Sequence, residues 1–264
     1  MTEAHLDVRG VRVRLLRSGD GPPLLSLHGG GDRGDWLPVL TELAASCDVV
    51  RPDLPGFGGS DEDERIDSVH DLAFFTLDLL DELGIERTTV VGFSLGGWLA
   101  VELATIEPRR VEKLVLVGAA GLRVEGCEQP DVFALDPVRL VELAYHDPAR
   151  RERAVAAARA LDDDPEALQL YLRSRVATAH LAWNPYFHDP KLVHRLHRVT
   201  APTLVVWGRE DGLLPVAHGH RWQELLPHAR LEVLDECGHL PHVERPAEFL
   251  EVVRPFLEGV PAGV

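Results

Sequence analysis

The chain has 264 residues, of which 45% are hydrophobic and 27% charged, and this suffices for one α/β domain with an insertion. Its formal net charge of −16 argues against nucleic acid and against an anionic membrane as partners, because both require a basic face. The chain starts without a signal-peptide pattern, has no apolar run as long as a membrane span, and carries three scattered cysteines. We therefore expect a cytoplasmic protein with free thiols.

The first part of the chain alternates strand and helix patterns. Val11, Val13 and Leu15 alternate with arginines, the period of a half-exposed strand, and the apolar run before Gly92 is typical of a buried one. Strands are predicted over 6–9, 11–16, 24–27, 47–50, 88–91 and 114–117, and helices over 35–45, 68–83 and 95–106. This alternation predicts a mostly parallel sheet covered by helices on both faces.

The pattern changes after Gly121, where no strand signal of comparable strength occurs until residue 203. Asp is a good helix N-cap and Pro is tolerated in the first helical turn, so an Asp-Pro pair favours a helix start. There are four such pairs, at 136–137, 147–148, 164–165 and 189–190, and they predict helices over 138–145, 149–161, 166–183 and 191–198. The sheet pattern then resumes with strands over 203–208 and 231–234 and helices over 217–226 and 246–257. We thus predict a core of residues 1–121 and 199–264, with residues 122–198 as a helical lid.

Ser94 lies in a sequence typical of a nucleophilic serine. It stands between Gly92 and Gly96, after a buried strand and before a helix, which is the setting of the G-x-S-x-G elbow. Gly92 and Gly96 allow close backbone approach around a strained turn, and the helix places its positive end under the hydroxyl.

A serine hydroxyl requires a base, and the base requires an orienting group. In parallel sheets functional groups gather after the carboxyl ends of strands, and there we find Asp211 and His239. Glu210 is the rival acid and His242 the rival base. We favour Asp211 because Glu210 sits within the strand-end turn, and His239 because it forms the Gly-His step.

With these motifs and His28-Gly29-Gly30-Gly31, the chain resembles the α/β-hydrolase superfamily over nearly its whole length. The resemblance implies an α/β-hydrolase fold: an eight-stranded, mostly parallel sheet with only the second strand antiparallel, helices on both faces, and a helical lid after the sixth strand. It also implies that Asp53 and the following glycines form a structural turn, whose spacing does not match a dinucleotide-binding loop.

The resemblance also implies a role for each site residue. Ser94 attacks a carbonyl, His239 transfers the proton and Asp211 holds the imidazole. The backbone N–H groups of Leu95 and Gly30 form the oxyanion hole, and no cofactor is needed. His28 is expected to shape the oxyanion loop.

We expect no metal site, because the 13 histidines include no metal-ligand pattern and His218 and His220 are expected on a solvated helix face. Aromatic and apolar residues near the motifs and in the lid are candidates for the substrate pocket, although each could instead pack lid helices on the core. They are Trp36, Phe93, Tyr145, Trp183, Tyr186 and Leu240, with Phe187 beside them.

The preferred hypothesis is a serine hydrolase of small or medium carboxylic esters or lactones that acts through an acyl-enzyme. The alternative is a carbon–carbon bond hydrolase of dienoate ring-fission products, whose oxyanion loop is similar to residues 28–36. Members of that group usually have a polar residue before the serine and an aromatic residue after the histidine, where this chain has Phe93 and Leu240.

Two further alternatives remain. One is a ligand-binding protein on the same scaffold with little turnover, and the other is a perhydrolase side activity. Haloalkane dehalogenases and epoxide hydrolases fit poorly, because their nucleophile is an aspartate and position 94 is a serine. The sequence does not indicate an oligomeric state.

Overall fold

The computed structural model describes residues 1–259, so the last five residues of the predicted second core segment, 260–264, lie outside the described residues. Eight strands form one sheet: β1 (Thr2–Val8), β2 (Val11–Ser18), β3 (Pro23–Leu27), β4 (Asp48–Pro52), β5 (Thr88–Phe93), β6 (Val111–Val117), β7 (Thr203–Gly208) and β8 (Ala229–Leu234). Their order across the sheet is β1-β2-β4-β3-β5-β6-β7-β8. β2 is antiparallel to both of its neighbours and the pairs from β4 to β8 are parallel, which confirms the predicted sheet.

Helices cover both faces of the sheet. They are α1 (Pro38–Leu43), α2 (Val69–Glu82), α3 (Leu95–Ile106), α4 (Pro137–Ala144), α5 (Pro148–Arg159), α6 (Pro165–Ala182), α7 (Ala217–Leu225), α8 (Pro241–Glu244) and α9 (Pro246–Glu258). On one face α1 and α9 bury Leu40 and Phe249 against the strands, and on the other α2 and α3 bury Leu72 and Leu99. Within residues 1–259, no helix combines the length and apolar character needed to cross a membrane.

Helix α1 is shorter than the predicted helix over 35–45. It begins at Pro38, whose fixed φ suits the first turn and whose missing N–H leaves nothing unsatisfied there. The residues before Pro38 form a loop instead, in which Gly34 has a φ of 97° and its N–H donates to the Asp32 carboxylate at 2.7 Å.

The segment between β6 and β7, residues 122–198, is called the helical insertion below. Asp136, Asp147 and Asp164 each cap a helix as predicted, accepting the backbone N–H three residues later at 2.9, 2.7 and 3.1 Å. Proline follows each cap as the first residue of α4, α5 and α6, where its missing N–H breaks no helical hydrogen bond.

The prediction of a fourth helix over 191–198 is wrong. Two short 3-10 turns, Leu192–His194 and Leu196–Arg198, take its place. The carboxylate of Asp189 accepts the N–H of Lys191, only two residues on, at 2.7 Å, and its other oxygen pairs with Arg195 at 2.5 Å. The side chain is thus held in a tight turn and caps no α-helix.

The sheet topology gathers the predicted site residues at one edge. β3, β5, β7 and β8 run in parallel, so the residues that follow Leu27, Phe93, Gly208 and Leu234 lie along the same carboxyl edge. The chemistry-bearing motifs of the sequence follow these four strands.

Candidate active site

Ser94 lies in a strained turn between β5 and α3. Its φ of 50° and ψ of −113° are rare for a residue with a side chain, and its N–H donates to Val117 O at 2.9 Å. Both flanking positions require glycine because neither has room for a side chain. A Cβ on Gly92 would lie 2.3 Å from Gly96 O, and one on Gly96 would lie 2.2 Å from Leu27 O. The packing of β3, β5 and β6 around the turn therefore keeps Ser94 in its strained backbone conformation.

His239 and Asp211 meet across the loops that follow β8 and β7. The Nδ1 atom of His239 lies 2.7 Å from Asp211 Oδ2, and both side chains are buried. The other carboxylate oxygen of Asp211 accepts the N–H groups of Leu213 and Leu214 at 2.9 and 2.8 Å. Since an ionised carboxylate only accepts, Nδ1 carries the hydrogen and Nε2 is left as the basic nitrogen.

Burial by itself lowers the pKa of His239, but the Asp211 charge, its hydrogen bond and the Glu244 charge together raise that pKa above the ordinary value. The ring also packs against Gly118, where a Cβ would lie 3.2 Å from Nδ1. Ser94 and His239 line the same cavity, so the elbow and the Asp–His pair face one space.

The loop after β3 borders Ser94. A Cβ on Gly29 would lie 3.3 Å from the Ser94 Cβ. His28 fixes this loop, because its Nδ1 donates to Gly29 O at 2.9 Å and its Nε2 accepts the Leu54 N–H at 3.0 Å. On the opposite side, the Thr178 hydroxyl from α6 lies 2.5 Å from Gly30 O and 2.6 Å from Ser174 O, so the two carbonyls share its single hydrogen.

The two predicted oxyanion donors lie in the loop after β3 and at the start of α3. Gly30 lines the cavity, and Leu95 is the first residue of α3, where a backbone N–H has no partner within the helix. Leu95 is buried at the helix start, and the action of the two N–H groups as an oxyanion hole stays a prediction.

The cavity has a volume of about 590 Å³ and lies between the sheet edge and the helical insertion. Four of the six predicted pocket residues line it: Phe93, Tyr145, Tyr186 and Leu240. The phenol of Tyr186 also donates to Pro130 O at 2.6 Å, so this side chain braces the wall as well as lining it.

The predictions for Trp36 and Trp183 are corrected by the structure. Trp36 lies outside the cavity wall, because its indole N–H donates to Thr41 Oγ1 at 2.9 Å and its ring packs on the α1 and α9 face. Trp183 follows the last residue of α6, is 59% exposed and contacts Phe133 from outside, with ring centroids 5.2 Å apart.

Sequence reasoning missed a stripe of wall residues on α6. Tyr171, Arg175 and Thr178 all line the cavity, and their spacing of four and three residues is that of one helix face. This periodicity was available in the sequence. Phe133 was also missed; it precedes α4, without helical periodicity, and stacks on Phe187 at 5.4 Å.

The rival acid and base occupy other positions. Glu210 accepts the Cys237 N–H at 2.8 Å and so ties the two loops together. His242 packs on Phe93, with ring centroids 4.3 Å apart, and its burial, together with the His239 charge, lowers its pKa to about 3. His218 was expected on a solvated helix face, but the structure buries it. Its Nδ1 lies 2.9 Å from Pro215 O.

Comparison with known proteins identifies a family and several hydrolases. A model of the alpha/beta hydrolase family matches residues 24–252. The 2-hydroxymuconate semialdehyde hydrolase of Pseudomonas sp. (strain CF600) is 31% identical over 94% of this chain and 91% of its own length.

Two solved structures are similar over almost the whole chain. The 2-hydroxy-6-oxo-6-phenylhexa-2,4-dienoate hydrolase from Rhodococcus sp. strain RHA1 has a TM-score of 0.80 at 26% identity, covering 97% of this chain and 98% of its own. Est816, an N-acyl homoserine lactone degrading enzyme, has a TM-score of 0.71 at 27% identity, covering 96% and 100%.

Proposed function

This chain belongs to the alpha/beta hydrolase family, and from that membership we propose that it is a serine hydrolase of carbon–carbon bonds that acts on small dienoates. The proposal takes its substrate class from relatives that match 94–97% of this chain and are named for dienoic acids or semialdehydes. The cavity of about 590 Å³ is of the size that holds a small organic substrate.

Ser94 is the proposed nucleophile and His239 the proposed base. Attack of the Ser94 hydroxyl on the keto group forms a C–O bond and moves an electron pair onto the carbonyl oxygen, while His239 Nε2 takes the hydroxyl proton. The N–H groups of Gly30 and Leu95 bind that oxygen, and each such donor typically stabilises the transition state by about 3–4 kcal/mol. Asp211 keeps the imidazole in the required tautomer and stabilises its positive charge.

Collapse of the tetrahedral intermediate then breaks the carbon–carbon bond. The electron pair leaves on carbon, which is feasible only when a conjugated oxo group delocalises it, as in the keto form of a dienoate. His239 returns its proton to the leaving carbon. Water then hydrolyses the acyl-enzyme, so that one water is consumed and two products form, an acid and a shortened dienoate.

Arg175 is the observation in the structure that supports this substrate class. It lines the cavity and donates to the carbonyls of Val132 and Phe133 at 2.7 and 3.0 Å. Among residues 1–259, no carboxylate lies within 4.0 Å of its guanidinium. A positive charge held by neutral carbonyls on a cavity wall suits a substrate carboxylate.

Hydrolysis of esters or lactones is the second candidate. Phe93 and Leu240 favour it, because both are apolar wall residues beside the proposed triad, where the dienoate hydrolases usually carry a polar and an aromatic residue. The structural similarity to the lactone-degrading enzyme Est816 points the same way.

The test compares both substrate classes in one protein. Stopped-flow absorbance would follow 2-hydroxy-6-oxo-6-phenylhexa-2,4-dienoate and p-nitrophenyl esters of increasing chain length. Ser94→Ala should lower turnover of either class by about 10⁴-fold or more. Ser46→Ala, which removes an exposed hydroxyl that lies beside Cys47, serves as the matched control.

Ser94-dependent loss of the dienoate absorbance would support the main proposal. Turnover of esters alone would move the assignment to the second candidate. Tight dienoate binding with no release of product from either substrate would contradict both and favour a ligand-binding protein.

A further inference from the structure

The loops that carry Asp211 and His239 are joined to the end of α4. The His239 N–H donates to Ala144 O at 2.7 Å, and the Gly212 N–H donates to Leu143 O at 3.2 Å. Carbonyls in the last turn of a helix have no partner within the helix, so they are available for such contacts. Two residues of the helical insertion thereby hold the backbone of both loops.

Glu244 completes this connection with a buried carboxylate. Its Oε1 accepts the Gly238 N–H at 2.8 Å, and its Oε2 accepts the N–H groups of His146 and Asp147 at 2.8 and 2.7 Å. The residue is 4% exposed, and within the described part of the chain no cation lies within 4.0 Å of it. A buried charge is costly unless it is hydrogen-bonded, so these three donors account for its presence.

The loop before His239 packs tightly against the end of α4 and against Glu244. A Cβ on Gly238 would lie 2.4 Å from Ala144 O, 2.8 Å from Glu244 Oε1 and 2.9 Å from the His146 nitrogen. The peptide before His239 is thus in direct contact with the link between α4 and α5.

We infer that Glu244 is a positioning residue that fastens the His239 loop to the α4–α5 link of the helical insertion. The inference rests on the proposed function, since it concerns the histidine assigned there as the base. Within residues 1–259 the Glu244 carboxylate hydrogen-bonds only to backbone N–H groups, so it acts by fixing the place of the imidazole rather than by touching substrate.

The pKa of His239 depends on the charges around it and can be measured separately from stability. Asp211, on the loop after β7, and Glu244, on α8, face the imidazole with negative charge and raise its pKa against the effect of burial. His242, also on α8, stays neutral because its pKa is lowered to about 3, chiefly by burial. Removal of the Glu244 charge should therefore lower the pKa of His239.

The experiment measures Glu244→Gln by two routes. A ¹³C-detected NMR titration of the histidine Cε1 atoms, with His239→Gln to assign the signal, should show a lower pKa for His239. The acidic limb of the kcat/KM profile should move to lower pH with it, and kcat should fall by about ten- to a hundredfold as the base is misplaced.

Glu102→Gln is the matched control. Glu102, on α3, is another buried carboxylate, but its oxygens contact Arg195, His70 and Trp98, and within residues 1–259 none of its hydrogen-bond partners belongs to the two loops. Its variant should lower thermal stability while leaving the pKa of His239 and kcat near wild type. An unchanged pKa and kcat in folded Glu244→Gln would overturn the inference.

Glu244→Asp covers the case in which the glutamine variant does not fold. It keeps the charge but is one methylene shorter, so we expect the pKa of His239 to stay raised while kcat falls by about tenfold. A folded Glu244→Asp with wild-type kcat would also overturn the inference. If the wild type turns over neither substrate class, the proposed function fails, and the NMR titration still tests the role of Glu244.

Discussion

The two walls of the cavity are built in different ways. On the sheet side Ser94, Asp211 and His239 follow the ends of β5, β7 and β8, so their proximity follows from the parallel topology. On the insertion side the wall comes from α4, α5, α6 and the loops beside them, and contacts distant in sequence join it to the sheet side, such as that between Thr178 and Gly30 O. In the function proposed above, the sheet side supplies the reacting groups, and the insertion side holds them in position and selects the substrate.

Among these variants, Asp211→Asn, on the sheet side, should lower kcat the most. An amide can present its NH₂ group to Nδ1 and stabilise the wrong imidazole tautomer, so kcat should fall by about 10⁴-fold. Because the Asp211 charge and hydrogen bond raise the pKa of His239, the acidic limb of activity should also move to lower pH. Steady-state kinetics between pH 5 and pH 9 would check this. A loss below about tenfold would remove Asp211 from the proposed triad.

Arg175→Gln should show how the insertion side selects substrate. Loss of the guanidinium charge should raise KM for a dienoate by about 10- to 100-fold, the worth of a charge-assisted hydrogen bond, and leave KM for a neutral ester unchanged. Arg173→Gln is the control, since Arg173 lies two residues away and donates to Gly58 O at 2.8 Å and to Ser60 O, outside the cavity wall. Equal KM changes for both substrates would contradict a carboxylate site.

Thr178→Val should loosen the connection between α6 and the oxyanion loop. The Gly30 carbonyl would lose its donor, and a misplaced loop should lower kcat by about tenfold with little change in KM. Thr178→Ser should restore most of the loss, because it keeps the hydroxyl. Thr76→Val is the control: Thr76 is a buried helix residue whose hydroxyl donates to Leu72 O at 2.8 Å, remote from the loop. The same kcat loss in both valine variants would show a general stability effect.

The sheet side could be predicted from the sequence because it rests on local signals. Glycines at 92 and 96 mark the turn at Ser94, and apolar strands before Asp211 and His239 place both at the carboxyl edge. Helix starts in the insertion were also predictable, since Asp136, Asp147 and Asp164 cap locally. Even there the rule failed at Asp189, where Arg195 competes for the carboxylate.

Contacts on the insertion side could not be predicted in this way. Two of the three hydrogen-bond partners of Glu244 lie 97 and 98 residues earlier in the chain, and the partners of Thr178 include Gly30, 148 residues away. No periodicity encodes such pairings. They depend on how the insertion packs on the sheet edge, so aromatic residues such as Trp36 and Trp183 could not be sorted into wall and exterior.

Trp183→Ala should give the smallest effect and define where the insertion-side wall ends. Trp183 is 59% exposed, lies outside the cavity lining and packs against Phe133, so its loss should change kcat/KM by less than about twofold. Phe133→Ala is the informative partner, since this ring lines the cavity and stacks on Phe187 at 5.4 Å. It should shift the preferred ester chain length toward longer acyl groups by enlarging the cavity. A shift of the same kind in Trp183→Ala would mean that the exposed ring reaches substrate, and the boundary of the wall would have to be moved outward.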